Sequence, residues 1–215
     1  MISVIILMAG RGTRMGIDKN KILLEVNKKP IFKYSLDLFS QYDFEIICVI
    51  NKLDEDYIKP YLNSNIKCVY GGNTRTESVY NGLKEVTGDY VLIHDAARPL
   101  LDKKVVDEII SKKDNSDCIL TYLPVKNTIK EINDNKLNTL NRNKLISAVT
   151  PQCGKAKLFK DAYSKAINSN LEFTDDVSII EHYYNDAKID LVLANEEVFK
   201  VTTMLDYKLL KAILE

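Results

Sequence analysis

Arginine is scarce in this chain of 215 residues, five against 25 lysines, and histidine is scarcer still, with only His94 and His182. Net charge is missing too, because thirty basic residues balance thirty acidic ones. That balance argues against a nucleic-acid or membrane-surface protein, whose affinity comes from neutralising phosphates. No apolar run approaches the roughly 20 residues a membrane span needs. The apolar run Ile2 to Ala9 is short, has no basic residue before it and runs into a Gly/Arg loop, so it reads as a buried strand and not a signal peptide. No C-x-x-C joins the four cysteines, Cys48, Cys68, Cys118 and Cys153. With two histidines, zinc ligation is poorly supported, and reduced, mostly buried thiols in a cytoplasmic protein are expected. No internal repeat or low-complexity linker divides the chain, so a single domain over residues 1–215 is expected.

The five arginines are Arg11, Arg14, Arg75, Arg98 and Arg142. In so lysine-rich a chain, each is a suspect: either a place where an ammonium would not serve, or an arginine retained by chance on the surface. A guanidinium forks phosphate or carboxylate with two parallel hydrogen bonds, which lysine cannot do.

Apolar patterning alternates between strands and helices. Strands are expected at Ile2–Ala9, Phe44–Ile50, Ile66–Tyr70, Tyr90–His94, Cys118–Leu123 and Leu191–Ala194. Helices are expected from Pro30, over 54–62, 76–86 and 155–168, over 175–184 and from Met204, with Asp102 capping another over Val105, Val106, Ile109 and Ile110. Residues 125–149 break the pattern with short alternating segments around Asn133-Asp134-Asn135 and Asn141-Arg142-Asn143, as hairpins would. The expected fold is α/β: a Rossmann-like, mostly parallel sheet with helices on both faces and a protruding β-arm at about 125–149. Its ligand edge lies at the strand C-termini, where Gly10–Gly16, Gly71–Ser78 and Asp95–Pro99 fall.

The first of these segments, Gly10-Arg11-Gly12-Thr13-Arg14-Met15-Gly16, fits neither standard phosphate motif. Its third glycine is one residue late for G-x-G-x-x-G, and Gly16 is followed by Ile17 where a P-loop needs Lys. Taken alone it is either an anion-binding nest for something the size of a triphosphate or a loop of solvated charges.

The remaining segments resolve that choice. Asn20-Lys21 follows the loop. Gly71-Gly72-Asn73-x-Arg75-x-x-Ser78-Val79-x-x-Gly82-Leu83, His94-Asp95-Ala96-Ala97-Arg98-Pro99 and Val125-Lys126-Asn127-Thr128-Ile129-Lys130 come next. Thr150-Pro151-Gln152, Thr174-Asp175-Asp176-x-Ser178 and Lys200-Val201-Thr202 complete the series. Together and in this order they resemble the 2-C-methyl-D-erythritol 4-phosphate cytidylyltransferase family, over essentially the whole chain.

That resemblance implies transfer of CMP from CTP to methylerythritol phosphate, with release of pyrophosphate and with Mg²⁺. It implies Arg14, Lys21, Arg142 and Lys200 as catalytic residues. It implies nucleotide binding by Ala9, Gly10, Gly12, Gly72, Asn73, Arg75, Ser78 and Ala96, and substrate binding by Asp95, Thr128, Arg142, Thr150 and Lys200. Asp95 would hold the metal. The arm would pack on a second copy, giving a homodimer in which Thr128 and Arg142 complete the partner's site. Neither nucleic acid nor membrane is implied as a partner. Arg98 is expected to shape the loop after Asp95 through a carboxylate or carbonyl, His94 to be structural and His182 an ordinary helix residue. The sequence departs from the family pattern at Met8, Asn73, Asn127, Asn141 and Val198. Ribitol 5-phosphate cytidylyltransferases of teichoic-acid synthesis are the nearest rival. Ala97 and the stretch Lys126–Lys130 favour the isoprenoid enzyme. A non-catalytic nucleotide-binding protein is a further alternative, which Arg14, Lys21, Asp95, Arg142 and Lys200 argue against.

Overall fold

A computed structural model describes residues 1–10, 20–134, 136–169, 171 and 173–215. Its first strand, β1 (Ile2–Leu7), is buried on both faces and therefore central. A short hairpin follows, β2 (Glu25–Val26) and β3 (Lys29–Pro30), turned by Asn27 and Lys28 at φ 53° and 60°. Two consecutive positive φ values are the signature of the tight hairpin turn that matches strand twist. Helix α1 (Ile31–Phe39) starts directly after Pro30, whose fixed φ suits a helix entry.

Then come β4 (Glu45–Ile50), α2 (Glu55–Ile58), β5 (Ile66–Tyr70), α3 (Arg75–Glu85), β6 (Tyr90–Asp95), α4 (Lys103–Lys112) and β7 (Cys118–Pro124). The helix expected over 54–62 is only the four residues of α2 between two 3-10 turns, and Pro60 in the second of these lacks the N–H that would continue it. Asp102 caps α4 as expected, accepting from the Lys104 N–H at 2.9 Å.

Segment 125–149 divides in two. Its middle forms an exposed hairpin, β8 (Lys130–Asn133) with β9 (Lys136–Thr139). From Ile146 the chain is already back in the main sheet as β10 (Ile146–Lys155), a strand that the periodicity did not reveal. The chain ends with α5 (Ala156–Ile167), α6 (Asp176–Tyr183), β11 (Ile189–Leu193) and α7 (Met204–Leu214).

The seven-stranded sheet runs β11-β7-β10-β6-β1-β4-β5. All pairings are parallel except the two that β10 makes, with β6 and β7. One face carries α1 and α4, with Phe32, Leu36, Val106 and Ile109 against Val4, Ile6 and Cys48. The other carries α3, α5 and α6, with Val79, Phe159, Tyr163 and Ile180 against Ile5, Ile47 and Val91. Chain order reverses around β1, since β4 and β5 extend to one side and β6 returns on the other. In open α/β sheets that reversal opens a crevice at the strand C-termini. Among the described residues no helix is long and apolar enough to cross a membrane.

Candidate active site

A cleft of about 870 Å³ occupies this crevice. The residues after β1 (Met8, Ala9, Gly10), the segment after β4 (Asn51, Lys52) and the β5–α3 turn (Gly71 to Arg75, with Ser78) wall it, and Lys21, Asp95, Ala97, Lys200 and Thr202 also reach it. Residues 11–19 lie outside the described residues, so the assignments of Gly12 and Arg14, and the suspicion over Arg11, stay with the sequence.

Asn20, where the described chain resumes, is held by three hydrogen bonds. Its Nδ2 donates to the Met8 carbonyl at 3.1 Å and to Asp54 Oδ2 at 2.7 Å, and its Oδ1 accepts from the Ile22 N–H at 3.3 Å. The first of these ties residue 20 to Met8, just past the end of β1. Lys21, 8% exposed, then enters the cleft wall. Its charge acts on Asp206 at the start of α7. Burial works against ionisation of Asp206, but the N–H groups of Thr202 and Thr203, the Thr203 hydroxyl and Lys21 hold its carboxyl below the usual range.

The glycine wall follows from close approach. A Cβ on Gly71 would lie 2.4 Å from Ala9 Cβ, and one on Gly72 would lie 2.3 Å from Glu77 Cβ. Within the turn, Gly72 N–H donates to Ser78 Oγ at 3.1 Å, Asn73 N–H to Glu77 Oε2 at 2.6 Å, and Ser78 Oγ to the Thr74 carbonyl at 2.9 Å. The Ser78 hydroxyl therefore shapes the turn, while the exposed Asn73 side chain stands at its rim.

Asp95 ends β6 with its side chain 10% exposed. Lys200 Nζ donates to its Oδ2 at 2.8 Å, Arg75 Nε lies 3.6 Å from Oδ1 and Arg98 Nε 3.8 Å from Oδ2. Burial alone would raise this carboxyl's pKa, but Arg75, Lys200 and Arg98 overcome it and hold the group well below the carboxylate range. Lys200 is placed by backbone. Val201 N–H donates to the Ala97 carbonyl at 2.8 Å, and Arg98 Nη1 donates to the Val198 carbonyl at 2.9 Å. The expected loop-shaping role of Arg98 rests on its hydrogen bond to the Val198 carbonyl, with Asp95 as a long ion-pair neighbour and no hydrogen bond at Nε among the described residues. Val198 contributes a carbonyl and a fully buried side chain, which explains why a valine serves there.

Several expected site residues sit elsewhere. Ala96 is fully buried in the core, and the cleft wall at that point is Ala97. Thr150 is buried behind Asp95: its Oγ1 accepts from the Asp95 N–H at 3.1 Å and lies 3.2 Å from His94 Nδ1. His94 is wholly buried, 3.2 Å from Ser35 Oγ, and burial pushes its pKa down to about 4, so it is a neutral structural group as expected. Thr128 and Arg142 are exposed on the arm segment, away from this cleft's lining, and Arg142 Nη1 donates to the Lys126 carbonyl at 2.9 Å.

Arg75 is committed elsewhere than to a ligand. Its Nη1 and Nη2 fork the carboxylate of Asp176 at 2.7 and 2.8 Å. Asp176 is fully buried, where an unpaired carboxylate would cost about 3–5 kcal/mol. The sequence reading assigned no role to Asp176, Gln152 or Tyr163. The available signal was the pair of short motifs Thr150-Pro151-Gln152 and Thr174-Asp175-Asp176, which the fold brings together.

Residues 2–215 match the family described as IspD: 2-C-methyl-D-erythritol 4-phosphate cytidylyltransferase. The chain is 36% identical over 225 residues to the 2-C-methyl-D-erythritol 4-phosphate cytidylyltransferase of Clostridioides difficile strain 630, covering 100% of this chain and 94% of the relative. It is 37% identical over 213 residues to the enzyme of that name from Clostridium botulinum strain Eklund 17B, covering 94% of each. The crystal structure of 4-diphosphocytidyl-2C-methyl-D-erythritol synthase from Anaerococcus prevotii superposes with a TM-score of 0.89 at 31% identity, over 100% of this chain and 98% of that one.

Proposed function

This chain belongs to the 2-C-methyl-D-erythritol 4-phosphate cytidylyltransferase family, and from that membership we propose how its residues divide the work. The protein is a nucleotidyltransferase that moves the CMP part of CTP onto methylerythritol phosphate in the non-mevalonate route to isoprenoid precursors. The observation that carries the residue assignment is the convergence of Lys21, Asp95 and Lys200 on one glycine-walled cleft.

A phosphomonoester oxygen of the acceptor attacks the α-phosphorus of CTP in line. The bond to the β-phosphate breaks and pyrophosphate leaves. Such a reaction is mainly positioning and stabilisation of growing negative charge. Lys21, with Arg14, neutralises the triphosphate. The turn from Gly71 to Ser78 leaves room for a pyrimidine beside its backbone. Lys200 leaves Asp95 to hold the acceptor's phosphate, and Asp95, still flanked by Arg75 and Arg98, turns the oxygen that Lys200 releases to the substrates. Asp95 offers one hard, ionised carboxylate, which suits Mg²⁺, an ion that takes one or two carboxylates and completes its shell with phosphate oxygens and water. When bound there, the ion would offset charge on the triphosphate.

Arg142 and Thr128 serve a second copy of the chain in a homodimer. Ile132 and Leu137, paired across the hairpin and 73% and 69% exposed, support an arm that packs on a partner. Four unpaired cysteines support a cytoplasmic setting.

A pyrophosphate-release assay with CTP and the phosphates of methylerythritol, ribitol, glycerol and a sugar tests this reading. Turnover with methylerythritol phosphate is expected. Turnover with ribitol phosphate alone would overturn the acceptor, and none with any acceptor would overturn the enzyme.

A further inference from the structure

Arg75 faces the cleft, yet both terminal nitrogens of its guanidinium point away from it, onto Asp176. Asp176 does not touch the cleft, and its position is fixed from three sides. The Tyr163 hydroxyl donates to its Oδ1. Its own N–H and that of Val177 donate to Gln152 Oε1 at 2.9 and 2.8 Å. Gln152 Nε2 donates in turn to the Val149 carbonyl at 3.3 Å and to Asp175 Oδ2 at 3.2 Å. The antiparallel strand β10 thus plugs the start of α6, and α6 holds Arg75.

Only Nε of Arg75 is left toward Asp95, at 3.6 Å. A guanidinium at this wall would otherwise be a strong two-pronged ligand for phosphate. Binding energy spent on the ground-state triphosphate lowers the dissociation constant without speeding the chemical step.

On the reading of this cleft as a CTP site, we propose that Asp176 is a positioning residue: it occupies the Arg75 fork, denies it to the triphosphate and leaves Arg75 as a fixed charge beside Asp95. The group acted on is the triphosphate of a nucleotide, and Tyr163 and Gln152 set the brace.

The experiment is a double-mutant cycle of Asp176→Asn and Arg75→Gln, read by titration calorimetry with CTP and by pyrophosphate release. Removing the charge of Asp176 releases one or both prongs. CTP is then expected to bind about tenfold more tightly, as a new charge-assisted hydrogen bond would give, while kcat falls by about tenfold or more because Asp95 loses its fixed neighbour. Adding Arg75→Gln is expected to erase the gain in affinity. A merely structural role for Asp176 would weaken binding and turnover together and would not depend on Arg75. Unchanged or weaker CTP binding in folded Asp176→Asn overturns the brace, as does a gain that persists in the double variant. If Asp176→Asn does not fold, Tyr163→Phe removes one tether of the same carboxylate. It should shift affinity and kcat in the same directions by less, again only while Arg75 is present, and failure to do so overturns the brace. Wild type that binds CTP but transfers to no acceptor sinks the proposed activity alone, since the brace is judged on CTP affinity. Wild type that does not bind CTP sinks both.

Discussion

Glycine at 71 is required by distance. Its N–H donates to the Ile50 carbonyl at 2.9 Å, which draws the β5–α3 turn against the ends of β4 and β1. A methyl there would meet Ala9 Cβ at 2.4 Å and Ser78 Oγ at 2.8 Å. Gly71→Ala is therefore expected to cost about 1–3 kcal/mol of stability and to raise the dissociation constant for CTP about tenfold, as the loss of one good hydrogen bond at the displaced turn would. Denaturant unfolding and CTP titration of the variant check the two effects. Single residues were also where the sequence was most informative. Lys21, Asp95 and Lys200 were named from short motifs, and the fold brings all three to one cleft. Ala96 and Thr150 were named from the same motifs but lie behind the wall. A motif records which residues occur together, while the direction of each side chain is set by strand pleat and packing.

At the opposite end of the sheet Glu45, the first residue of β4, ties neighbouring elements. It accepts from the Ser3 hydroxyl on β1, from Lys67 Nζ on β5 at 2.6 Å, and from Thr87 N–H and Oγ1 at 2.8 Å after α3. Burial would raise its pKa, but the hydrogen bonds from Lys67, Ser3 and Thr87 prevail and lower it to about 2. A depressed carboxyl contributes stability in full above its unfolded value, near 4.5, and loses it as pH falls toward the folded value. Glu45→Gln is expected to lower stability at pH 7 by about 1–3 kcal/mol, and the wild-type advantage should shrink between pH 4.5 and 2. Urea unfolding of both proteins across that window decides it; a difference independent of pH would refute the charge-assisted tie. Elements were legible where burial imposes a period. The parallel strands β1, β4 and β6 announced themselves as apolar runs, whereas β10 did not. Its first three residues are exposed, Pro151 interrupts its middle and Gly154 its end, so no regular alternation appears. The irregular register between Val149 and Cys153 accommodates that sequence in the sheet.

For the molecule as a whole, the separation between the cleft and the exposed Arg142 has a direct consequence for assembly. If arms complete a partner's site, Lys21→Ala and Arg142→Ala should each abolish pyrophosphate release alone. Mixed after co-expression or subunit exchange, they should regain turnover, because a hybrid dimer carries one site with both residues intact. Sedimentation velocity reports the dimer, and failure of the mixture to recover activity, with hybrids demonstrably present, would refute the shared site.

The order of motifs along the chain was enough to specify an α/β nucleotidyltransferase and its family, because phosphate chemistry demands particular residue types after particular strands. Tertiary structure alone decided that Arg75 spends its fork on Asp176, that Thr150 and His94 stand behind Asp95, and that an antiparallel β10 joins these parts. Those facts depend on contacts between residues 55 to 101 positions apart, such as Asp95 with Thr150 and Arg75 with Asp176. Local periodicity carries no record of contacts at that range.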